Sequence, residues 1–225
     1  MTLDLIKSYR LFSGIAPEDI PHALQCLHAI QAEFDKGDVL LNIDQTTDEA
    51  GLLLKGCAQV VIDNMLGRRI VVEHIMPGDV FGEIALGSGV QKTPVCIRAT
   101  GKCTALKLKI GKIVSPHACS CHFRTTIMEN LLISMSEYNS KLNQRLDILS
   151  YRTLRQKIQA YLLMQMQETG NHQFSIPFNR NDLADYLQIE RSALSRELSK
   201  MRDEGLIAYC KSDFYIINIQ EMIPK

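Results

Sequence analysis

Apolar residues recur at two different periods along this chain, and the change of period divides it into parts. Between Leu11 and Lys112 they come in short runs bounded by glycine: DVLLNI, GLLLKG, AQVVID, RRIVVEHIM, VCIRAT and TALKLKI. Runs of this length and composition predict strands, and Gly37, Gly51, Gly56, Gly67, Gly78, Gly82 and Gly101 mark the corners between them. Many short strands with glycine corners predict a barrel or jelly-roll-like domain. Ahead of them DIPHALQCLHAI, led in by Pro17-Glu18-Asp19, predicts a short helix.

From about His122 to Ser150 the period lengthens to that of a helix. Met128, Leu131, Met135, Tyr138, Leu142 and Leu149 recur at alternating spacings of three and four, with Arg145 at one vacancy. That seven-residue rhythm predicts a coiled-coil seam, although a helix packed on its own domain carries a similar stripe. The polar residues elsewhere on the helix, Glu129, Asn130, Asn139, Lys141, Asn143 and Gln144, favour the seam. Tyr151 to Gln167 reads as a further amphipathic helix, with Leu154, Ile158, Tyr161, Leu162 and Met166 on its apolar side. Gly170-Asn171-His172 ends it, and an extended SIPF follows.

The stretch from Asn179 to Gly205 predicts two short helices joined by a tight turn. Asn179 caps the first, with Asp182 in its first turn and Leu183, Ala184 and Leu187 on its apolar face. Gln188 and Ile189 form the turn. In the second helix Ala193, Leu194, Leu198 and Met201 point inward, which leaves Arg191, Ser192, Ser195 and Arg196 on the outer N-terminal face. This is the pattern of a helix-turn-helix, whose second helix reads base edges in the DNA major groove with its N-terminal residues. Arginine suits guanine O6 and N7, and serine reaches either a base or a phosphate. Lys200 and Arg202 suit contacts to the DNA backbone, and Arg180 is a further DNA-binding candidate. After Gly205, LIAYC and FYIINI are two β-rich runs around Lys211-Ser212-Asp213, which predicts a hairpin and so a winged helix-turn-helix.

Charge tempers this picture. The chain of 225 residues carries no net charge. From Tyr151 onward basic and acidic residues number roughly ten and nine, short of the basic excess usual in a DNA-binding domain. Binding then requires acids such as Asp203 and Glu204 to be turned away from the DNA. The length suits two domains, and no apolar run approaches the ~20 residues that span a bilayer. The start, MTLDLIKSYR, has no basic segment followed by an apolar block, so a cytoplasmic protein is expected. Seven cysteines without a disulfide-like framework fit reduced thiols.

FDKGDVLL, LLLKGCAQVV, MPGDVFGEIAL, the long helix, and RNDLADYLQIERSALSREL followed by EGLI together resemble the Crp–Fnr family of bacterial transcription regulators. The resemblance covers nearly the whole chain. It implies an α+β fold with an N-terminal cyclic-nucleotide-binding-like β-roll, a long dimerisation helix and a C-terminal winged helix-turn-helix. The corresponding divisions are 1–112, 113–150 and 151–225. It implies a homodimer that binds a near-palindromic DNA operator, answers to a small-molecule effector and engages RNA polymerase, with no membrane role. It places Arg191, Ser192, Ser195 and Arg196 at base-reading positions. A glutamate is common in the family where Ser192 stands, so the usual half-site is not expected here.

By the same resemblance the effector site draws on Phe81, Gly82, Glu83, Ile84, Ala85, Lys92, Thr93 and Arg98. In relatives that bind cyclic AMP, the FGE glutamate holds the ribose and an arginine followed by serine holds the phosphate. Here the arginine position carries Thr93, or Lys92 if the alignment slips by one, and Pro94 replaces the serine. Hydroxyl and backbone donor are both lost, and a buried anion with too few donors is costly. Cyclic AMP is therefore not the expected effector. The family's iron–sulfur cluster is not expected either, because no cysteine cluster precedes Cys26.

Cys119, Cys121 and His122 form another constellation, at the mouth of the long helix. Thiolate and imidazole suit zinc or haem iron, and a cysteine at a helix N-terminus can act as a redox sensor. One such cluster offers too few ligands for a closed zinc site, and three ordinary side chains read the same way. Two alternatives to a ligand-gated regulator thus stand: a redox or metal sensor using these three residues, and a nucleotide-binding signalling module without a DNA role. An enzyme is not expected. No nucleophile–base–acid set, phosphate-binding glycine loop or HExxH is present, and Gly87-Ser88-Gly89 is not a nucleophile elbow.

Overall fold

The helix α1 (Leu3–Lys7), a 3-10 turn (Arg10–Phe12) and α2 (Ile20–Cys26) precede the strands. The predicted helix over residues 19–30 is shorter than its apolar pattern. It stops because His28 takes a left-handed backbone (φ 47), which a right-handed helix cannot continue. Ile30 instead opens a strand. The computed structural model describes residues 3–43, 49–63, 69–82, 93, 95–111 and 121–223. The chain divides into two units, Met1–Asn139 and Ser140–Lys225.

In the first unit the strands are β1 (Ile30–Phe34), β2 (Val39–Leu41), β3 (Ala50–Lys55), β4 (Ala58–Asp63), β5 (Arg69–Ile75), β6 (Val80–Phe81), β7 (Cys96–Ala99) and β8 (Cys103–Leu108). Each of the six predicted runs holds one of them; β1 and β6 are additional. They form two antiparallel sheets, ordered β1-β8-β3-β6 and β2-β7-β4-β5. The inner faces of both sheets meet in one core, where Leu41, Leu53, Val60, Ile75, Phe81, Ile97 and Ala105 are buried. The outer face of the first sheet is covered as well: Leu52, Leu54, Leu106 and Leu108 pack with Ile6, Phe12, Ile20 and Leu24. That double covering explains why AGLLLK is apolar without alternation. Five of its six residues are buried because both faces of the strand meet protein.

Gly51 shows how tightly this roll closes. A Cβ built there would lie 2.0 Å from the Phe81 ring. Glycine lets the aromatic ring lie directly on the backbone of β3. At Gly56, which follows β3, the same atom would lie 2.4 Å from the Lys102 carbonyl and the φ is +80, so the corner admits no side chain.

Next comes α3 (Arg124–Ser150), a continuous helix of 27 residues. Its buried positions differ from the predicted seam. Phe123, Ile127 and Leu131 join the core of the first unit, with Met128 packed against it. Asn130, expected on the polar face, is buried, and its Nδ2 donates to the carbonyls of Leu11 (3.1 Å) and Ser13 (2.8 Å). The uncovered apolar residues are Leu132, Ile133, Met135 and Leu146. The repeat is helical as predicted, but part of the stripe serves its own unit.

The second unit continues with α4 (Leu154–Thr169), β9 (Gln173–Ser175), α5 (Arg180–Leu187), α6 (Arg191–Asp203), β10 (Ile207–Cys210), β11 (Asp213–Ile216) and α7 (Ile219–Met222). Thr153 and Gln156 form a reciprocal capping box at the start of α4, and Gly170 ends it in a left-handed turn. The predicted hairpin is present as β10 and β11, and β9 adds a third antiparallel strand. Among the described residues no helix is long and apolar enough to cross a membrane.

Gly51→Ala is expected to lower stability by about 1–3 kcal/mol, the usual cost of overpacking a filled core. Urea unfolding measures it; a variant with the parent midpoint and slope would refute the close Phe81 contact.

Candidate nucleic-acid interface

Local capping sets the helix pair. Asn179 Oδ1 accepts from the backbone N–H groups of Asn181 (2.9 Å) and Asp182 (3.1 Å), which are otherwise unpaired at a helix start. The helix α5 ends when Gln188 turns left-handed (φ 54), and the Ile189 N–H closes the turn on the Ala184 carbonyl at 2.9 Å. Glu190, at the N-cap, begins α6. Leu194, Leu198 and Met201 are fully buried and lock α6 onto Leu183, Ala184, Leu187 and Tyr161. Ala193 is only half-buried.

This packing leaves Arg191, Ser192, Ser195, Arg196 and Lys200 exposed along the outer side of α6. Ser195, Arg196, Ser199 and Lys200 line one open groove, and Asp203 and Glu204 line its far end. The acids are thus not turned away, as the charge balance required. They are engaged instead. Asp203 accepts from Arg202 Nη2 at 2.9 Å. Glu204 is paired with Arg155 of α4, whose other nitrogen lies 3.3 Å from Glu197. The hydrogen bond from Arg155, more than its charge, holds the Glu204 carboxyl below its ordinary pKa. Arg155 answers two of the carboxylates near the groove without occupying it.

Arg180 stands elsewhere. It is half-buried, with its guanidinium 4.9 Å from the Tyr209 ring centre and 5.1 Å from that of Phe214. Burial lowers its pKa from the ordinary arginine value. The cation stacks on wing aromatics and ties the start of α5 to β10 and β11. Ser199 Oγ, 3.4 Å from the Tyr209 hydroxyl, joins α6 to the same wing.

A residue placed in the predicted seam has a different task in this unit. Arg145 of α3 is 7% exposed. Its Nη2 donates to the Tyr186 carbonyl at 3.2 Å, and its guanidinium lies 4.5 Å from the centre of the Tyr186 ring. Tyr186 packs in turn on Phe178 and Tyr161. The end of the long helix is thereby tied to α5. An arginine interrupting an apolar repeat was the available signal for this role.

In the first unit the expected effector residues are only partly gathered. Phe81 and Gly82 border a hollow of about 20 Å³ with Leu40, Leu41, Glu49, Ala50, Gly51 and Lys107. Arg98 is not brought there. It lies on the opposite side of β7 from Ile97 and Ala99, which face the core, and its Nη1 donates to the Gly37 carbonyl at 3.4 Å. Thr93 is buried, with its hydroxyl donating to the Asn42 carbonyl. Glu83, Ile84, Ala85 and Lys92 lie outside the described residues, as does Cys119. Cys121 and His122 do not converge: His122 Nε2 is 2.9 Å from Asp19 Oδ2, whereas Cys121 Sγ is 3.1 Å from Cys26 Sγ.

The Crp-like helix-turn-helix domain family matches residues 156–223, and the cyclic nucleotide-binding domain family matches residues 31–114. The chain belongs to the Crp–Fnr family. It is a DNA-binding transcription regulator of that type, with a domain of the cyclic nucleotide-binding class. Solved relatives share the fold at low identity. FixK2 from Bradyrhizobium japonicum is 17% identical over 86% of this chain and 95% of its own, with a TM-score of 0.67. A transcriptional regulator of the CRP family from Thermus thermophilus, TTHB099, is 20% identical over 85% and 94%, with a TM-score of 0.60. The c-di-GMP-responsive global regulator CLP of Xanthomonas campestris is 14% identical over 90% and 100%, with a TM-score of 0.69. No curated protein matches the chain in sequence.

Arg145→Ala is expected to destabilise the second unit by about 1.5–3 kcal/mol, the range for losing a buried hydrogen bond from a charged group. Urea unfolding followed by tyrosine fluorescence measures it. A loss within about 0.5 kcal/mol, the scale of ordinary surface substitutions, would contradict the tie between α3 and α5.

Proposed function

We propose that this regulator is a cytoplasmic homodimer that reads a near-palindromic operator with the outer face of α6, under control of a small-molecule effector other than cyclic AMP. The supporting observation is the exposed row Arg191, Ser192, Ser195, Arg196 and Lys200 on a helix whose Leu194, Leu198 and Met201 are fully buried. Arg191 and Arg196 supply forked donors for guanine, Ser192 and Ser195 short donors or acceptors, and Lys200 a phosphate contact. Arg180 contributes by holding the wing in place. Residues 1–112 sense, 113–150 pair two copies, and 151–225 bind DNA. RNA polymerase is the further protein partner.

A second copy is the occupant proposed for the apolar side of α3. Leu132 and Leu146 are each about two-thirds exposed, and Met135 lies between them. Their spacings of three and eleven fit a coiled-coil stripe that continues through half-buried Leu142. Pairing sets two recognition helices about 34 Å apart, the distance of successive major grooves.

The case against cyclic AMP rests on donors. Thr93 spends its hydroxyl on Asn42, and Arg98 faces away from Phe81. A sensor built on Cys119, Cys121 and His122 has no such support, since His122 turns to Asp19. The helix-turn-helix family match argues against a signalling module without DNA.

Arg196→Ala is expected to weaken operator binding by about 1–3 kcal/mol and to relax preference at one base pair per half-site. Selection from random duplexes at a stated salt concentration, followed by titration of the selected site, reads both effects; unchanged affinity and preference would remove Arg196 as a reader. Leu146→Glu is expected to shift the protein from dimer to monomer in sedimentation velocity while the folded circular dichroism spectrum is kept. A dimer that persists would move the interface off this stripe.

A further inference from the structure

The hydrogen-bonded pair of thiols at the start of the long helix belongs to a larger cluster. His22, Cys26 and Cys121 each offer one ligand atom, and these atoms all lie within 4.8 Å of one another. His22 and Cys26 are four apart on α2 and so share one helix face. Cys121 arrives from the other end of the first unit, 95 positions from Cys26 along the chain, with its carbonyl accepting from the Arg124 N–H at 3.0 Å as α3 begins. Both cysteines pack at the edge of the apolar core, half-buried, while His22 is exposed at the mouth. The buried Phe123 ring meets the His22 ring edge-on at 5.4 Å and fixes one side of it.

We propose that His22, Cys26 and Cys121 form a binding site for a thiophilic divalent cation of the zinc class. The donor set carries the choice of ion. Two sulfurs and one imidazole nitrogen favour zinc-like ions over magnesium or calcium, which take oxygen. Charge agrees with it. Binding releases one proton from each thiol to solvent, and two thiolates with a neutral imidazole balance a dication, so no net charge is left beside the apolar core. Geometry agrees as well. Tetrahedral zinc bonded to two thiolates at ~2.3 Å holds the sulfurs roughly 3.8 Å apart, so the pair at 3.1 Å needs to open by less than an ångström. Three protein ligands leave a fourth position for water. The bound ion clips α2 to the residues that lead into α3, which gives the first unit a chemical handle on the long helix. The site does not depend on the DNA reading and is tested without DNA.

The test is titration of the purified, fully reduced protein with cobalt(II), followed by displacement with zinc(II). The expected result is thiolate-to-cobalt charge-transfer absorption that saturates at one equivalent per chain and is abolished by zinc. Cys26→Ser and Cys121→Ser each remove that absorption, and His22→Gln weakens cobalt affinity at least tenfold. Cys57→Ser and Cys210→Ser, both away from the cluster, leave it unchanged. Failure of the reduced parent protein to bind either ion overturns the site, as does full absorption in the Cys26→Ser and Cys121→Ser variants. Where a serine variant loses its folded circular dichroism spectrum, His22→Gln decides, because its side chain is exposed: parental affinity there overturns the three-ligand assignment.

Discussion

A buried cation sets the arrangement of the second unit. Removing an arginine from water costs several kcal/mol unless hydrogen bonds and polarisable neighbours offset it. Arg145 offsets part of that cost at Tyr186, taking both its carbonyl and its ring. A lysine has no planar face to lay on the ring. Because Tyr186 belongs to the aromatic cluster with Phe178 and Tyr161, the end of α3 is held to α5 and to α4 at once. From Tyr186 the chain passes within five residues to α6, through the left-handed Gln188. A rotation of the long helix therefore has a short, packed route to the recognition helix. Within this unit no flexible linker intervenes.

Electrostatics in the same unit follow one economy. The groove along α6 carries acids at one end, which by themselves repel phosphate. Arg155 on α4 and Arg202 on α6 draw those acids into ion pairs. Exposed pairs of this kind add little stability. Their effect is on the field, since paired acids leave the positive charge of Arg191, Arg196 and Lys200 to dominate the outer face of the helix. A neutral chain can in this way present a basic reading face.

The helix-turn-helix was legible because each of its signals is local. Asn179 as cap, the Gln188 turn and the inward set Leu194, Leu198 and Met201 all lie within one window of sequence. The strands were legible where a long apolar run lay beside a glycine; β6 has only two residues between Gly78 and Gly82, and β1, IQAEF, follows a helical pattern without a break. Long-range partnership was the part that pattern could not carry. Leu131 belongs to a stripe that fits a coiled coil and a domain core equally well, and only the fold shows that it enters the core with Phe12 and Leu108. Sequence pattern groups Cys121 with its chain neighbours Cys119 and His122. Its spatial neighbours are His22 and Cys26, and no spacing rule connects residues brought together by a closed β-roll.

Sensing poses the opposite problem to reading. The proposed reading face is built on one helix, whereas two of the described effector candidates, Phe81 and Arg98, lie on different sheets. Arg98 illustrates this: one place along β7, Ile97 is wholly inside the roll, and the pleat sends Arg98 out. The interior at Phe81 and Gly51 is filled by a ring rather than left open for a ribose. A ligand entering there must displace Phe81 from the backbone of β3, and β3 also packs on α2 and the first turns of α3 through Leu52 and Leu54. The same close contact thus joins the interior of the roll to the strand that packs on α2 and the start of α3.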